Sequence, residues 1–173
     1  MTIEELDAPA AEAALPALSD ILHGCVHGGA SVGFILPFAP EDAAHWWRAK
    51  VLPAVAAGER RLLVASRAGR ILGTAQLDLG TPPNQRHRAE VCKVLVHPDS
   101  RRQGLGRALM EAVEPIARAE GRSLLTLDTV AGSAAQPLYE SLGYVLVGVL
   151  PGWARAARED RLEGTAIMYK RLA

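Results

Sequence analysis

Apolar residues recur every three to four positions between residues 8 and 25, with Pro16 as a break, and again over 41–57, with Pro40 before and Gly58 after. Both stretches read as amphipathic helices, the first running into a loop at His27-Gly28-Gly29-Ala30. From residue 61 the period shortens. Residues 61–66 and 71–79 read as strands joined at Ala68-Gly69-Arg70, and 89–96 as a strand ending at His97-Pro98. Pro82-Pro83-Asn84 marks residues 81–86 as loop. Over 105–119, Leu105, Leu109, Ala112 and Ile116 form one stripe away from Arg107, Glu111 and Arg118, which predicts a helix that Pro115 should kink or shift in its packing. Residues 124–129, 144–149 and 165–171 read as strands and 133–142 as a short helix. Helices alternating with strands predict an α/β or α+β chain with one central sheet. No repeat or linker divides it, so residues 1–173 read as one domain.

Composition narrows the function classes. The chain carries 19 basic and 19 acidic side chains, a formal net charge of zero, which argues against nucleic acid or an acidic membrane gripped through a global basic field. Two separated cysteines, Cys25 and Cys92, make neither a disulfide framework nor a CxxC metal site. The acidic start MTIEELDAPA lacks a secretory pattern, and no apolar run reaches the roughly 18 residues of a membrane span. The expectation is a cytoplasmic protein with reduced thiols. Any anionic partner must be held by a local arrangement.

The stretch Arg101-Arg102-Gln103-Gly104-Leu105-Gly106-Arg107, set between a strand and a helix, offers that arrangement. Glycines let backbone amides approach a ligand, and a helix start presents unpaired N–H groups with partial positive charge. Three arginines and no acid add to it, so a pyrophosphate fits; a tight turn with solvated arginines is the plainer reading. A P-loop would need GxxxxGK[ST] and a dinucleotide fingerprint GxGxxG directly after the strand, and neither occurs.

Arg101-Arg102-Gln103-Gly104-Leu105-Gly106 resembles the [QR]-x-x-G-x-[GA] signature of the GCN5-related N-acetyltransferases. Val94-Leu95-Val96-His97-Pro98 before it and Leu138-Tyr139-Glu140-Ser141-Leu142-Gly143-Tyr144 after it also match that family, and the likeness covers roughly residues 90–147. Residues 26–34, Arg88-Ala89-Glu90-Val91, Leu127-Asp128-Thr129 and Ala131-Gly132-Ser133 resemble the tabtoxin-resistance branch within it. The resemblance implies a mixed, mostly antiparallel sheet that splays between its fourth and fifth strands, at residues 90–96 and 124–129. It implies acetyl-CoA as co-substrate, with pantetheine pairing with backbone at Val94, Leu95 and Val96 and pyrophosphate held by amides of residues 102–107. Where the family often carries an Asn on the helix after the fifth strand, this chain has Gly132, with Ser133 as the substitute. Dimers are common in the family, so a homodimer is allowed, with no interface localised.

Acetyl transfer to an amine needs a base, donors for the oxyanion and a group facing the departing thiolate. Glu90, eleven residues before Arg101, matches the base of histone-type members. Strand alternation groups it with Cys92, Val94 and Val96, an apolar row whose burial should raise its pKa from about 4.3. A surface pairing with Arg86 or Arg88 is the alternative. Asp128 ends its strand beside the expected splay as a second carboxylate, or else is a turn or cap residue. Tyr139 matches the family's tyrosine that donates to the CoA sulfur, which would make it the general acid that protonates the thiolate, or else is a core tyrosine. Trp46 and Trp47 either line an acceptor pocket or pack in the core; His27, before Gly28-Gly29, and Trp153, in a loop at Pro151-Gly152-Trp153, lie in segments that the resemblance brings near substrate, with ordinary loop roles as the alternative. No His, Asp and Glu cluster has metal-ligand spacing, and the reaction requires no metal. The reading is an acetyl-CoA-dependent N-acetyltransferase acting on a small-molecule amine, one resembling an antibiotic or toxin of the tabtoxin type included. Acetylation of protein N-termini or lysines, and a non-catalytic acyl-CoA sensor on the same fold, are the alternatives.

Overall fold

The computed structural model describes residues 1–172. The strands are β1 (Thr2–Leu6), β2 (Arg60–Arg67), β3 (Arg70–Asp78), β4 (Arg88–Val96), β5 (Leu124–Val130), β6 (Val145–Arg155) and β7 (Leu162–Arg171). The helices are α1 (Ala8–Ala13), α2 (Leu15–His27), α3 (Pro40–Trp46), α4 (Leu52–Ala56), α5 (Leu105–Ala119) and α6 (Ala135–Ser141). All seven strands form one sheet in the order β1-β2-β3-β4-β5-β7-β6. Every neighbouring pair is antiparallel except β4 and β5. The mixed, mostly antiparallel sheet expected from the resemblance is therefore present.

The sheet carries helices on both faces. On one, α5 and α6 cover Leu63, Ala75, Leu77, Ala89, Val91, Leu125 and Met168; on the other, α2 and α3 cover Leu62, Val64 and Leu95. Adjacent residues such as Leu62 and Leu63 are both fully buried, on opposite faces, which is why β2 reads as a continuous apolar run rather than an alternating one. The α5 stripe is Leu105, Leu109, Met110, Val113 and Ala117, centred beside the expected one, with Ala112 and Ile116 at its margin. Pro115 does not end the helix, because it lies on the exposed face where water meets the carbonyl it leaves without a donor.

Several local expectations change. β1 was not expected; its edge position tolerates Glu4 and Glu5, and these charges hide the strand pattern while protecting the edge. The first helix divides at Ala14, so Pro16 sits in the first turn of α2, where its missing N–H costs nothing. The second is divided by a π-turn at Trp47–Val51, which takes up the chain before Pro53. Pro151-Gly152-Trp153 is not a loop but an irregular part of β6, where the register against β7 shifts between Leu150 and Ala154.

Candidate active site

β4 and β5 pair only at Arg88–Leu124, Ala89–Leu125 and Glu90–Thr126. Beyond Glu90 the strands part, so residues 91–96 and 127–130 face each other across a gap. Within that stretch β4 bulges: Leu95 pairs with Thr74 and Cys92 with Gln76, leaving Lys93 and Val94 opposite Ala75. Lys93 takes the left-handed conformation at φ 49°, and the extra residue reverses the alternation. Ala89 and Val91 face α5, and so do Val94 and Val96, while Leu95 faces α2. Glu90 therefore does not share a row with Val94 and Val96 as simple alternation predicts. The bulge puts the carboxylate on the α2 side and those two valines on the α5 side.

Glu90 has a side chain 49% exposed, with Arg88 Nη1 3.8 Å away. Arg88 is mainly engaged elsewhere, donating to Thr126 Oγ1 at 3.0 Å and Gln85 Oε1 at 2.8 Å. Partial burial raises the Glu90 pKa, the charges of Asp128 and Asp78 raise it further, and Arg88 and Arg60 oppose the rise. The expected direction stands, although the surroundings are charged rather than apolar. Asp128 is on the same α2-facing side of the neighbouring strand. Its Oδ2 lies 2.9 Å from Thr165 Oγ1 on β7, which also reaches the Thr129 carbonyl at 3.0 Å. Helix α6 has no side-chain cap, so the capping alternative for Asp128 falls away.

Tyr139 projects from α6 into the α5-side core, 7% exposed, its ring 6.0 Å from that of Tyr144. Burial, with Asp128's charge adding, pushes its pKa up to about 12. The phenol is thus protonated throughout the neutral range.

The 101–107 segment turns through left-handed Arg102 (φ 60°) and Gly104 (φ 83°) into α5. Its first intrahelical bond there is Ala108 N to Gly104 O at 3.0 Å, so the amides of Leu105, Gly106 and Arg107 have no acceptor within the helix. Among the described residues, a Cβ on Gly104 would meet nothing within 4 Å, so the turn is open at that residue. Gly106 packs toward α6, its Cβ position 3.5 Å from Leu138. Two of the three arginines are partly committed. Arg101 leans on the Val96 carbonyl (3.5 Å) and Cys25 Sγ (3.9 Å), and Arg107 donates to Ser141 Oγ (2.7 Å). Cys25 also donates to the Val96 carbonyl at 3.4 Å, so that acceptor already has donors within the chain. Gln103 is held by Arg67 from β2, a contact no local motif announces. Ser133 contacts Thr129 Oγ1 at 3.3 Å and donates its backbone N–H to Val130, so it shapes the turn after β5.

On the α2 side, Trp47 is fully buried and donates from Nε1 to Leu18 O at 3.0 Å. Trp46 is half-buried, edge-on to Phe34 at 5.6 Å, with Lys93 Nζ 5.5 Å from its ring centre. The aromatic pair thus divides between core and cleft wall. His27 bonds the Phe38 carbonyl at 2.9 Å and fastens the segment after α2. That segment meets the β6–β7 hairpin through Leu36 N to Ala157 O at 3.0 Å, and Gly29 lies against Arg158. Trp153, 59% exposed on β6, stands three strands from β4. The fold therefore places Glu90, Asp128, Lys93 and Trp46 along the splay, while His27 is held on the Phe38 carbonyl and Trp153 is exposed on β6. Lys93 and Thr165 were missed from sequence; the one signal for Lys93 is a lone charge inside Val91-Cys92-Lys93-Val94-Leu95-Val96.

Comparison with known proteins agrees with this geometry. Residues 21–144 match the model of the acetyltransferase (GNAT) family. An uncharacterized N-acetyltransferase from the hisH-hisA intergenic region of Azospirillum brasilense is 36% identical over 123 residues, 69% of this chain and 70% of that protein. A ribosomal-protein-alanine N-acetyltransferase from Brucella melitensis superimposes with a TM-score of 0.78 at 26% identity, covering 99% of this chain and 100% of that one. A phosphinothricin acetyltransferase from Sinorhizobium meliloti, solved with acetyl-CoA, gives 0.80 at 20% identity over 99% of this chain and 88% of that one. The parted β4 and β5, the glycine turn into α5 and the family match converge: the chain belongs to the GNAT family of acetyltransferases and is an acyltransferase.

Proposed function

We propose that the chain transfers the acetyl group of acetyl-CoA to a primary amine of a small molecule, by direct attack with both substrates bound. One observation carries the reading: β4 and β5 separate immediately after Glu90, so a carboxylate of raised pKa stands at the mouth of a gap between strands. The α5 side of that gap fits the co-substrate, because left-handed Arg102 and Gly104 lead into a helix start whose first three amides have no acceptor within the helix. Bound acetyl-CoA supplies the thioester carbonyl.

The residues then divide the work. An amine of pKa about 8 to 10 arrives protonated. Glu90, ionised and beside Asp128, attracts the ammonium and takes its proton to solvent. Backbone N–H groups of residues 94–96 on the β4 edge that faces the gap, where β5 no longer pairs with it, are the donors for the oxyanion. Tyr139 donates a hydrogen bond to the departing sulfur. At a pKa of about 12 it holds its proton against a thiolate whose conjugate acid is near 8.5, so it stabilises the thiolate and solvent completes the protonation. The general-acid role expected from sequence becomes that of a hydrogen-bond donor.

A small acceptor is favoured because the segment after α2 is tied to the β6–β7 hairpin, Leu36 N to Ala157 O at 3.0 Å, and a tied segment would leave a peptide less room than a free one. A toxin or antibiotic of the tabtoxin type is the specific acceptor that the likeness over residues 26–34 suggests. Thiol release measured over a panel of small amines and peptides tests the reading. Turnover with small amines is expected; turnover with peptides alone would replace it by protein acetylation, and acetyl-CoA binding without any turnover by a sensor.

A further inference from the structure

The cations around the splay are nearly all committed. Arg60 pairs with Asp78, Arg88 spans Thr126, Gln85 and Glu90, and Arg101 lies against Val96 and Cys25. Lys93 differs: among the described residues its ammonium has an aromatic ring for company and no carboxylate within ion-pair distance. Its place is imposed by the backbone, since it occupies the β4 bulge at φ 49°, a conformation that side-chain-bearing residues seldom adopt. The bulge aims the side chain over Trp46, whose ring is fixed edge-on by Phe34 at 5.6 Å and Trp47 at 5.1 Å. A cation–π contact orients an ammonium without neutralising it. The α2-side wall of the gap thus presents a half-buried positive charge three residues along β4 from Glu90, with Asp128 on the facing strand.

We propose that Lys93 is a specificity-determining residue that binds a carboxylate of the acceptor, so that the acceptor class is amino acids rather than simple amines. This rests on the acetyl-transfer reading above: the amine end faces Glu90 and Asp128, and the acid end faces Lys93. Such a site selects zwitterions, because an ammonium–carboxylate ion pair in a partly desolvated wall is worth more than the hydrogen bond the same ammonium makes to an uncharged amide oxygen.

The test is steady-state thiol release with amino acids, each paired with its carboxamide, on wild type, Lys93→Met, Lys93→Arg and Arg158→Ala. Acetyl-CoA affinity and Tm verify that each variant is folded and loaded. Wild type should favour the acid over the amide by about tenfold to a hundredfold in kcat/KM. Lys93→Met should bring that ratio near one through KM, and Lys93→Arg should restore much of it. If Lys93→Met slows acid and amide alike, or if Arg158→Ala collapses the ratio in its place, the assignment of Lys93 is overturned while acetyl transfer stands. If wild type acetylates no amine at all, the acetyl-transfer reading falls and takes this proposal with it.

Discussion

The two sides of the gap between β4 and β5 are built on different terms. On the α5 side the proposed cofactor surface is mostly backbone from one continuous stretch, residues 94–107, shaped by a bulge, two left-handed residues and a helix start. On the α2 side the proposed acceptor surface is side chain, drawn from Phe34, Trp46, Glu90, Lys93, Asp128 and Thr165. A backbone site is insensitive to most substitutions and vulnerable to whatever blocks the amides. A side-chain site can be retuned residue by residue while the fold stays the same. The same sheet can therefore keep one cofactor and change acceptors.

The largest expected effect breaks the backbone side. Gly104→Asp puts a carboxylate in front of the α5 amides, where it competes with phosphate. The same charge at a helix N-terminus favours the folded state by roughly 0.3–1 kcal/mol, against about 1–2 kcal/mol for a left-handed residue with a Cβ. Acetyl-CoA binding by calorimetry should be lost while Tm moves by only a few degrees. A variant that binds acetyl-CoA normally would show that the loop holds no phosphate. Next, Glu90→Gln and Asp128→Asn should each lower kcat, by about 10²- to 10⁴-fold for the residue that takes the proton, with acetyl-CoA affinity within about threefold of wild type. If affinity collapses with kcat, the two sides are not separable.

A smaller loss is expected at Tyr139, which sits in the α5-side core but within the field of Asp128 from the other side. Tyr139→Phe keeps the buried ring and removes the hydroxyl, so Tm should hardly change. kcat should fall by about tenfold to a hundredfold, the worth of a hydrogen bond to a charged group, roughly 1.5–3 kcal/mol. Because the phenol's pKa is pushed up to about 12, wild type should show no alkaline limb from Tyr139 near pH 10. Such a limb, absent in Tyr139→Phe, would restore the general-acid role.

The difference between the two sides also decides what the sequence discloses. The glycine turn, the strand before it and Tyr139 are legible because backbone sites leave a local pattern of glycines and apolar runs. Glu90 and Asp128 are legible as residues, but their faces are not. One extra residue at Lys93 reverses the alternation, and nothing in the string Val91-Cys92-Lys93-Val94 distinguishes a bulge from a plain strand. The Phe34, Trp46 and Lys93 wall spans 60 residues of chain and exists only after α3 docks on α2. β1 escapes notice for the opposite reason: its edge position needs charges that mask its period.

The smallest effects are also the most diagnostic of how the α2 side is tuned. If Glu90 is the base, kcat/KM rises as pH climbs through its pKa in the free enzyme, because only the carboxylate form accepts a proton. That acid limb should lie above the ordinary carboxylate value of about 4.3, since burial and the charges of Asp128 and Asp78 all disfavour ionisation. Asp128→Asn removes one of those charges, so the limb should move to lower pH even as the maximum rate falls. Arg88→Met removes a cation that favours ionisation, and the limb should move to higher pH. Salt distinguishes the causes. Glu90 is about half exposed, so at 1 M ionic strength, where the screening length is about 3 Å, both displacements should shrink while the part due to burial persists. A limb that ignores both substitutions would remove Glu90 from the base role and leave Asp128 as the carboxylate to test.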